Sequence, residues 1–321
     1  MGNEASTAIS PFSAEDAQSL QSQYKSSQKD CFLTAMERYS VRSYDSTRPL
    51  PEDVIKQIND YISQEDVCTG PFGTKVKLSL LERSKVGGSL GTFKIISGTD
   101  VFLVAIIGES ADLLEVGYVF EKVILHLTTL GLGTCFMTGT FSGSDFTKGA
   151  GCSPTEKVYA ISPVGYAKTP EHQVIFEKRL ATNHRRLAFS EFCTVDPTVT
   201  ERPLNLIKAL EAARFSPSAL NKQPTRIYVT KAAPTEGSDN TEYCVSFAEK
   251  STKPECGVDV GISLLHFMQV IEELTGTKGE LSKTQPSITI PSGFTFRVSW
   301  KGSLSSQVQQ STDQPPASDS E

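Results

Sequence analysis

Tryptophan is nearly absent from this chain: one residue, Trp300, in 321, beside four methionines and four histidines. Four scattered histidines supply no metal-ligand spacing. The seven cysteines (31, 68, 135, 152, 193, 244 and 256) are odd in number and contain no CxxC pair. They read as reduced thiols, not as a disulfide frame or a metal site. No apolar run approaches the roughly 18 residues a membrane span requires. There is no excess of basic charge either. The net charge is −6, which argues against nucleic acid as a partner. Catalytic signatures are missing too: no triad and no paired carboxylates stand out. Composition and length fit an enzyme of the cytoplasm with two domain-sized units.

Present instead is a stiffened polar loop, Ser216-Pro217-Ser218-Ala219-Leu220-Asn221-Lys222-Gln223-Pro224. It closes a helical pattern from Pro203 to Arg214 and opens a strand-like run from Arg226 to Thr230. Its prolines stop helix on both sides. A hydroxyl, two amides and an ammonium lie between them, suited to a flat polar ring. An ordinary helix-to-strand connection has the same composition. Far upstream, Arg38, Ser40 and Arg42 lie two apart in Glu37-Arg38-Tyr39-Ser40-Val41-Arg42. Two guanidinium forks and a hydroxyl suit a phosphate; a solvated helix face would also carry arginines four apart.

A pattern recurs along the chain. Glu115-Val116-Gly117-Tyr118 leads an apolar helix over 115–130 that runs into Gly131-Leu132-Gly133-Thr134. Asp259-Val260-Gly261-Ile262 leads another over 259–275 that ends near Gly276. Each follows a shorter helix, Pro51 to Ser63 or Pro203 to Arg214. Strand-like runs at Val101–Ile107 and Ile161–Tyr166 are set against those at Arg226–Thr230 and Phe294–Trp300. His126 and His266 fall inside the long helices and read as packing residues.

Together, the loop and the Arg38/Ser40/Arg42 clasp resemble the FMN-dependent nitroreductase family, over roughly residues 33–302. The resemblance implies an α+β, three-layer αβα sandwich. In that family the clasp comes from one subunit of a dimer and the loop from the other. The first copy here keeps the clasp, the second keeps the loop, and the surviving halves belong to one composite site. The chain is thus similar to the single-chain TM nitroreductase group, a fused pseudo-dimer acting as a monomer. Repeat 1 would span 33–190 and repeat 2 would span 196–302. The implied FMN contacts are Arg38, Ser40, Arg42, Pro217, Ser218, Asn221, Gln223, Gly131, Gly133, Thr134, Arg185 and Arg186. Gly131 is equally a helix stop, and Arg185-Arg186 equally a solvated linker.

The resemblance implies that electrons pass from NAD(P)H through FMN to a small acceptor: a nitro compound, a quinone or a flavin. The flavin carries the chemistry, so no catalytic side chain is required. Another flavin reaction, or a relic fold that lost FMN and serves as a scaffold, are the competing readings. The aromatic residue that relatives carry after Gln-Pro is Thr225 here. Residues 1–27 and 303–321 are polar and expected to be disordered tails. Met1-Gly2-Asn3-Glu4-Ala5-Ser6 matches an N-myristoylation pattern. Without a nearby basic cluster, a lipid on Gly2 would give only weak membrane association.

Overall fold

A computed structural model describes residues 30–86, 88–168, 186–232, 241–250 and 257–304. Seven α-helices occur among them: α1 (Cys31–Glu37), α2 (Glu52–Ile62), α3 (Leu113–Thr129), α4 (Gly143–Gly149), α5 (Phe189–Phe192), α6 (Leu204–Phe215) and α7 (Val258–Thr275). Their boundaries follow capping chemistry. The Asp30 carboxylate accepts from Leu33 N at 2.7 Å and starts α1. Asp112 accepts from Leu114 N at 2.9 Å and starts α3. Pro51 precedes α2, and Glu52 and Asp53 fill its first turn, where the helix dipole favours acids. Gly276, at φ 69°, ends α7 in the left-handed conformation.

The strands form two sheets with one wiring. Strands β1 (Lys77–Glu82), β2 (Val101–Gly108), β3 (Gly133–Thr134) and β4 (Glu156–Gly165) order as β1-β2-β4-β3. Strands β5 (Cys193–Val195), β6 (Thr225–Lys231), β7 (Thr241–Glu249), β8 (Glu280–Ser282) and β9 (Thr295–Leu304) order as β5-β6-β7-β9-β8. In each half two antiparallel strands lead into a long helix. A short strand follows, and the last strand returns between it and the second strand. The register slips once between β2 and β4, at Ala105/Ile106, and once between β7 and β9, at Phe247/Ala248. The second sheet adds β5, parallel to β6. By this wiring the counterpart of β2 is β7, and β6 matches β1. The expected pairing of Val101–Ile107 with Arg226–Thr230 is therefore corrected by one strand.

Apolar side chains fill both faces of the first sheet. Leu103, Ala105 and Ile107 pack under α2 and α3, with Phe120, Val123 and Leu127. The alternate residues Phe102, Val104 and Ile106 face the other way, against Phe146 of α4 and Met137. This is the period-two division of a strand buried on both sides, and it produces the αβα layering. The second sheet packs against α6 and α7 through Val245, Phe247, Val298 and Trp300. Helix α1 belongs to the first half by sequence. Yet its Phe32, Leu33, Ala35 and Met36 bury in the second half's core, beside Leu264, Phe215 and Ala213.

Helices α3 and α7 pack on each other through two glycines. A Cβ on Gly117 would lie 2.3 Å from the Val258 carbonyl oxygen, and one on Gly261 would lie 1.8 Å from that of Leu114. Each glycine therefore receives the opening turn of the other helix. The acids behind them act alike: Glu115 accepts from Phe72 N (2.8 Å) and Thr74 N (3.0 Å), and Asp259 accepts from Ala219 N (3.2 Å).

Two expectations about the ends change or fall away. Ser303 and Leu304 belong to β9, and Leu304 is buried, so the polar tail cannot begin at 303. The strand continues because Thr241 and Glu242 offer partners to Leu304 and Ser303. The expected N-terminal tail, Gly2 included, lies outside the described residues. Among the described residues, no helix is long and apolar enough to cross a membrane and no group of residues fits a metal ion.

Candidate functional site

Helix α1 stops at Glu37, and the chain from Arg38 runs extended. The solvated-helix alternative for the two arginines is thereby removed. In extended chain, residues two apart share a side. Arg38, Ser40 and Arg42 do so: all three act on the buried Cys135 thiol, Ser40 by a side-chain hydrogen bond and the arginines by charge. Burial nevertheless raises the Cys135 pKa. Val41 points the opposite way and is buried. Its N–H donates to the Thr134 carbonyl at 2.8 Å, and Ser40 pairs with Thr134 in a parallel bridge. This contact explains Gly133, where a Cβ would come within 2.8 Å of the Val41 side chain. Gly131 has a different task. At φ 72° with open space around it, it ends α3.

The polar loop lies between α6 and β6, as expected. Prolines 217 and 224 confine it, and a 3-10 turn spans Ala219–Asn221. Leu220, Asn221 and Gln223 all adopt positive φ, between 49° and 54°. Three left-handed non-glycine residues so close together cost about 1–2 kcal/mol each. Side-chain bonds offset that cost. Ser218 Oγ accepts from Gln223 N at 2.9 Å, and Gln223 Oε1 accepts from Leu187 N at 2.8 Å. Leu220 stands 86% exposed at the tip. Pro217 and Ser218 are half-buried at its base.

Arg186 joins loop to clasp. Its guanidinium donates to Asn221 Oδ1 at 3.0 Å and to the Phe215 carbonyl at 2.8 Å. Burial, then repulsion from Arg38 and Arg214, lowers its pKa to about 9, against the pull of Glu121. It remains a cation at neutral pH. Glu121, from α3, is fully buried; its Oε1 lies 3.6 Å from Arg38 Nε and 2.9 Å from His266 Nε2 of α7. Burial lowers the His266 pKa, with Arg38 and Arg186 acting in the same direction and Glu121 opposing. A neutral ring beside a carboxylate carries its proton on Nε2. The neighbouring Arg214 is satisfied by Glu211 at 2.7 Å and by the Leu187 carbonyl at 2.8 Å.

Arg38 thus lies beside the Glu121 carboxylate, Arg186 is within electrostatic reach of both, and Arg42 stands exposed nearby. Guanidinium groups gathered in this way suit a phosphate.

The structure thus binds Asn221 to Arg186 and sets Arg38 within electrostatic reach of that guanidinium, with Ser40, Arg42, Gly133 and Thr134 along the same stretch. Gly131, two residues before Gly133, has open space around it. Arg185 lies outside the described residues. Asn221 and Gln223 turn their amide oxygens to Arg186 and Leu187. Sequence reasoning missed Glu121 altogether and read His266 only as packing.

A family profile described as "Putative TM nitroreductase" matches residues 32–271, well over half of the chain. The chain belongs to this family. No curated protein matches it. Among solved structures, a nitroreductase of Thermotoga maritima is 23% identical, with a TM-score of 0.52. The match covers 85% of this chain and 93% of that one. A nitroreductase family protein of Clostridium difficile 630 is 15% identical, with a TM-score of 0.38 over 51% of this chain and 96% of its own. The T. maritima likeness shows the nitroreductase fold for this family member. The clasp, the bridging Arg186 and the loop are features of its own chain.

Proposed function

We propose that this chain is an FMN-dependent oxidoreductase with one composite site, in a fold descended from a duplicated nitroreductase unit. The observation that carries the site is the bond from Arg186 to Asn221 of the loop, with Arg38 of the clasp and Glu121 within electrostatic reach of the same guanidinium. The duplication is supported by the matched sheet wiring and by the reciprocal Gly117 and Gly261 contacts. Isologous packing across a two-fold axis has this form, in which i touches j and j touches i. The chain would then be a monomer holding both halves of an ancestral dimer.

In this reading Arg38, Arg42 and Arg186 hold the FMN phosphate, and Ser40 adds a hydroxyl. The residue types fit: a phosphate monoester carries nearly two negative charges, and guanidinium forks match its oxygens. Gly133 lets the clasp approach Thr134 closely enough to form one wall. The strained loop at Ser218 and Asn221 forms the other, and Arg186 fixes their relative position. When bound, FMN supplies two-electron chemistry, accepting hydride from NAD(P)H and passing electrons to a nitro compound, quinone or flavin. The side chains bind, orient and shield; none is required to transfer a proton.

Two observations favour a second reading, a relic fold that no longer takes FMN. Asn221 and Gln223 spend amide oxygens inside the protein. Thr225 is buried as the first residue of β6 and supplies no aromatic surface. Titration with FMN, followed by flavin fluorescence quenching, separates the readings. The wild type is expected to bind, and Arg186→Ala to lose about ten- to hundredfold in affinity, the worth of a charge-assisted bond. Wild-type protein that is colourless and cannot be loaded with FMN leaves the relic.

A further inference from the structure

We propose that Arg214 is a positioning residue for Arg186: it clips the short segment that carries Arg186 to the end of α6, and so fixes where that guanidinium points. The inference rests on the reading of Arg186 as part of a phosphate site and adds a residue that neither the clasp nor the loop contains.

Arg214 lies in the last turn of α6, and both it and Glu211, one turn earlier, are buried. Its fork works on two sides. Nε and Nη2 each lie 2.7 Å from Glu211 Oε2, and Nη1 donates to the Leu187 carbonyl at 2.8 Å. The guanidinium carbon stands 4.6 Å from the centre of the Phe215 ring, a contact that further limits its swing. A planar fork can span a carboxylate and a carbonyl in this way, whereas an ammonium is a single point charge on a flexible stem. Leu187 is held on its other side as well, because its N–H donates to Gln223 Oε1 at 2.8 Å. The backbone of Leu187 is thereby tied to the helix through its carbonyl and to the loop through its N–H. Arg186 is the residue before it. The Arg186 guanidinium donates to Asn221 Oδ1 at 3.0 Å and to the carbonyl of Phe215, the neighbour of Arg214, at 2.8 Å. The side chain is thus anchored at its head by its own bonds and at its base by those of Leu187. A long side chain held at both ends has little rotamer freedom left to lose when it meets an anion. Arg214 supplies the base anchor on the helix side, and it need not touch the ligand to do so.

The test removes the clip without changing net charge. Glu211→Leu with Arg214→Met replaces a buried ion pair by apolar side chains, a change that is often neutral or stabilising. This double variant is expected to bind FMN about three- to tenfold more weakly than the wild type, the worth of ordering one long side chain. Riboflavin, which lacks the phosphate, should bind both proteins alike. In an Arg186→Ala background the same two changes should leave FMN affinity where it was, because the residue being positioned is gone. Arg214→Lys keeps a cation beside Glu211 but not the fork to Leu187, so FMN affinity should fall in the same direction; it carries the test if the double variant does not fold. FMN affinity equal to the wild type in these variants would overturn the inference and leave the phosphate site standing. So would an undiminished loss in the Arg186→Ala background, or a riboflavin loss as large as the FMN loss, since either marks a merely structural role. Wild-type protein that does not bind FMN, or Arg186→Ala protein that binds it as tightly as the wild type, would remove the site reading and this inference together.

Discussion

Replacing Gly261 by alanine would place a methyl carbon 1.8 Å from the Leu114 carbonyl oxygen, 2.8 Å from its carbonyl carbon and 3.0 Å from Tyr118 N. All three are backbone atoms, so no rotamer change relieves the clash. Carbon–oxygen contacts close near 3.3 Å, so α3 and α7 would have to separate by about 1.5 Å. Gly117→Ala meets Val258 O at 2.3 Å, the mirror contact, and demands about 1 Å. In an ordinary helix interior, glycine to alanine stabilises by about 1 kcal/mol. Here the sign should reverse. Overpacking costs about 1–3 kcal/mol or more, and separation also strips contacts along the helix pair. We expect each variant to lose roughly 2–4 kcal/mol. The double variant is the sharper test. One shift of α3 against α7 relieves both clashes, so its loss should fall well short of the sum, by about 1–3 kcal/mol. Urea unfolding followed by fluorescence of the fully buried Trp300 and by far-UV circular dichroism measures all three. Gly143→Ala, with nothing within 4 Å, is the control and should be neutral or slightly stabilising. Wild-type stability in Gly261→Ala, or strict additivity in the double variant, would refute the reciprocal packing.

Asp259 has its pKa raised to about 6 by burial first, with Glu249 adding to it and the Ala219 N–H and Lys222 opposing. The native state therefore binds more protons than the unfolded chain between about pH 4 and 6, and stability falls as pH rises through that window. Asp259→Asn should flatten this part of the profile and gain roughly 1–2 kcal/mol at pH 7, checked by urea midpoints at pH 4.5, 6 and 7.5. At the clasp, Arg42→Ala should weaken FMN binding by roughly 1.5–3 kcal/mol. Asn221→Ala should cost about 1 kcal/mol, plus any freedom it gives Arg186; equal affinities in a fluorescence titration would place FMN elsewhere.

Much of the site could be read before the fold was known, because its chemistry is local. Prolines 217 and 224 fix a loop whatever surrounds it, and Arg38, Ser40 and Arg42 share a side of any extended chain. The long helices showed through their apolar spacing, and the loop's flanking elements fell where expected, as α6 and β6. Strands were harder. β7 is buried along nearly its whole length, so it lacks the alternation that marks a half-exposed strand. Its omission shifted the match between the halves by one strand. The Val-Gly steps at 116–117 and 260–261 were visible as a repeat. Their role was not, since it depends on how closely two distant helices approach. Glu121 was illegible for a related reason. An acid on an apolar helix reads as a solvent-facing residue until its partners arrive from α7 and from the chain after α1.

The meeting of clasp and loop has a cause that needs no ligand. Helix α1 buries Phe32, Leu33 and Met36 in the second half's core, at about 1.5–3 kcal/mol for each side chain. That burial delivers Arg38, the residue after the helix, to the second half. A relic that had lost FMN would keep the arm for the same hydrophobic reason, and with it the proximity of the motifs. What burial of the arm does not account for is the charge. Apolar packing would be served as well by neutral residues at 38 and 186, and replacing buried ions with well-packed apolar groups is often neutral or stabilising. Buried guanidinium groups are costly to desolvate, and an anion bound against them would offset that cost. The arginines themselves, more than the convergence, are therefore the argument for a bound phosphate.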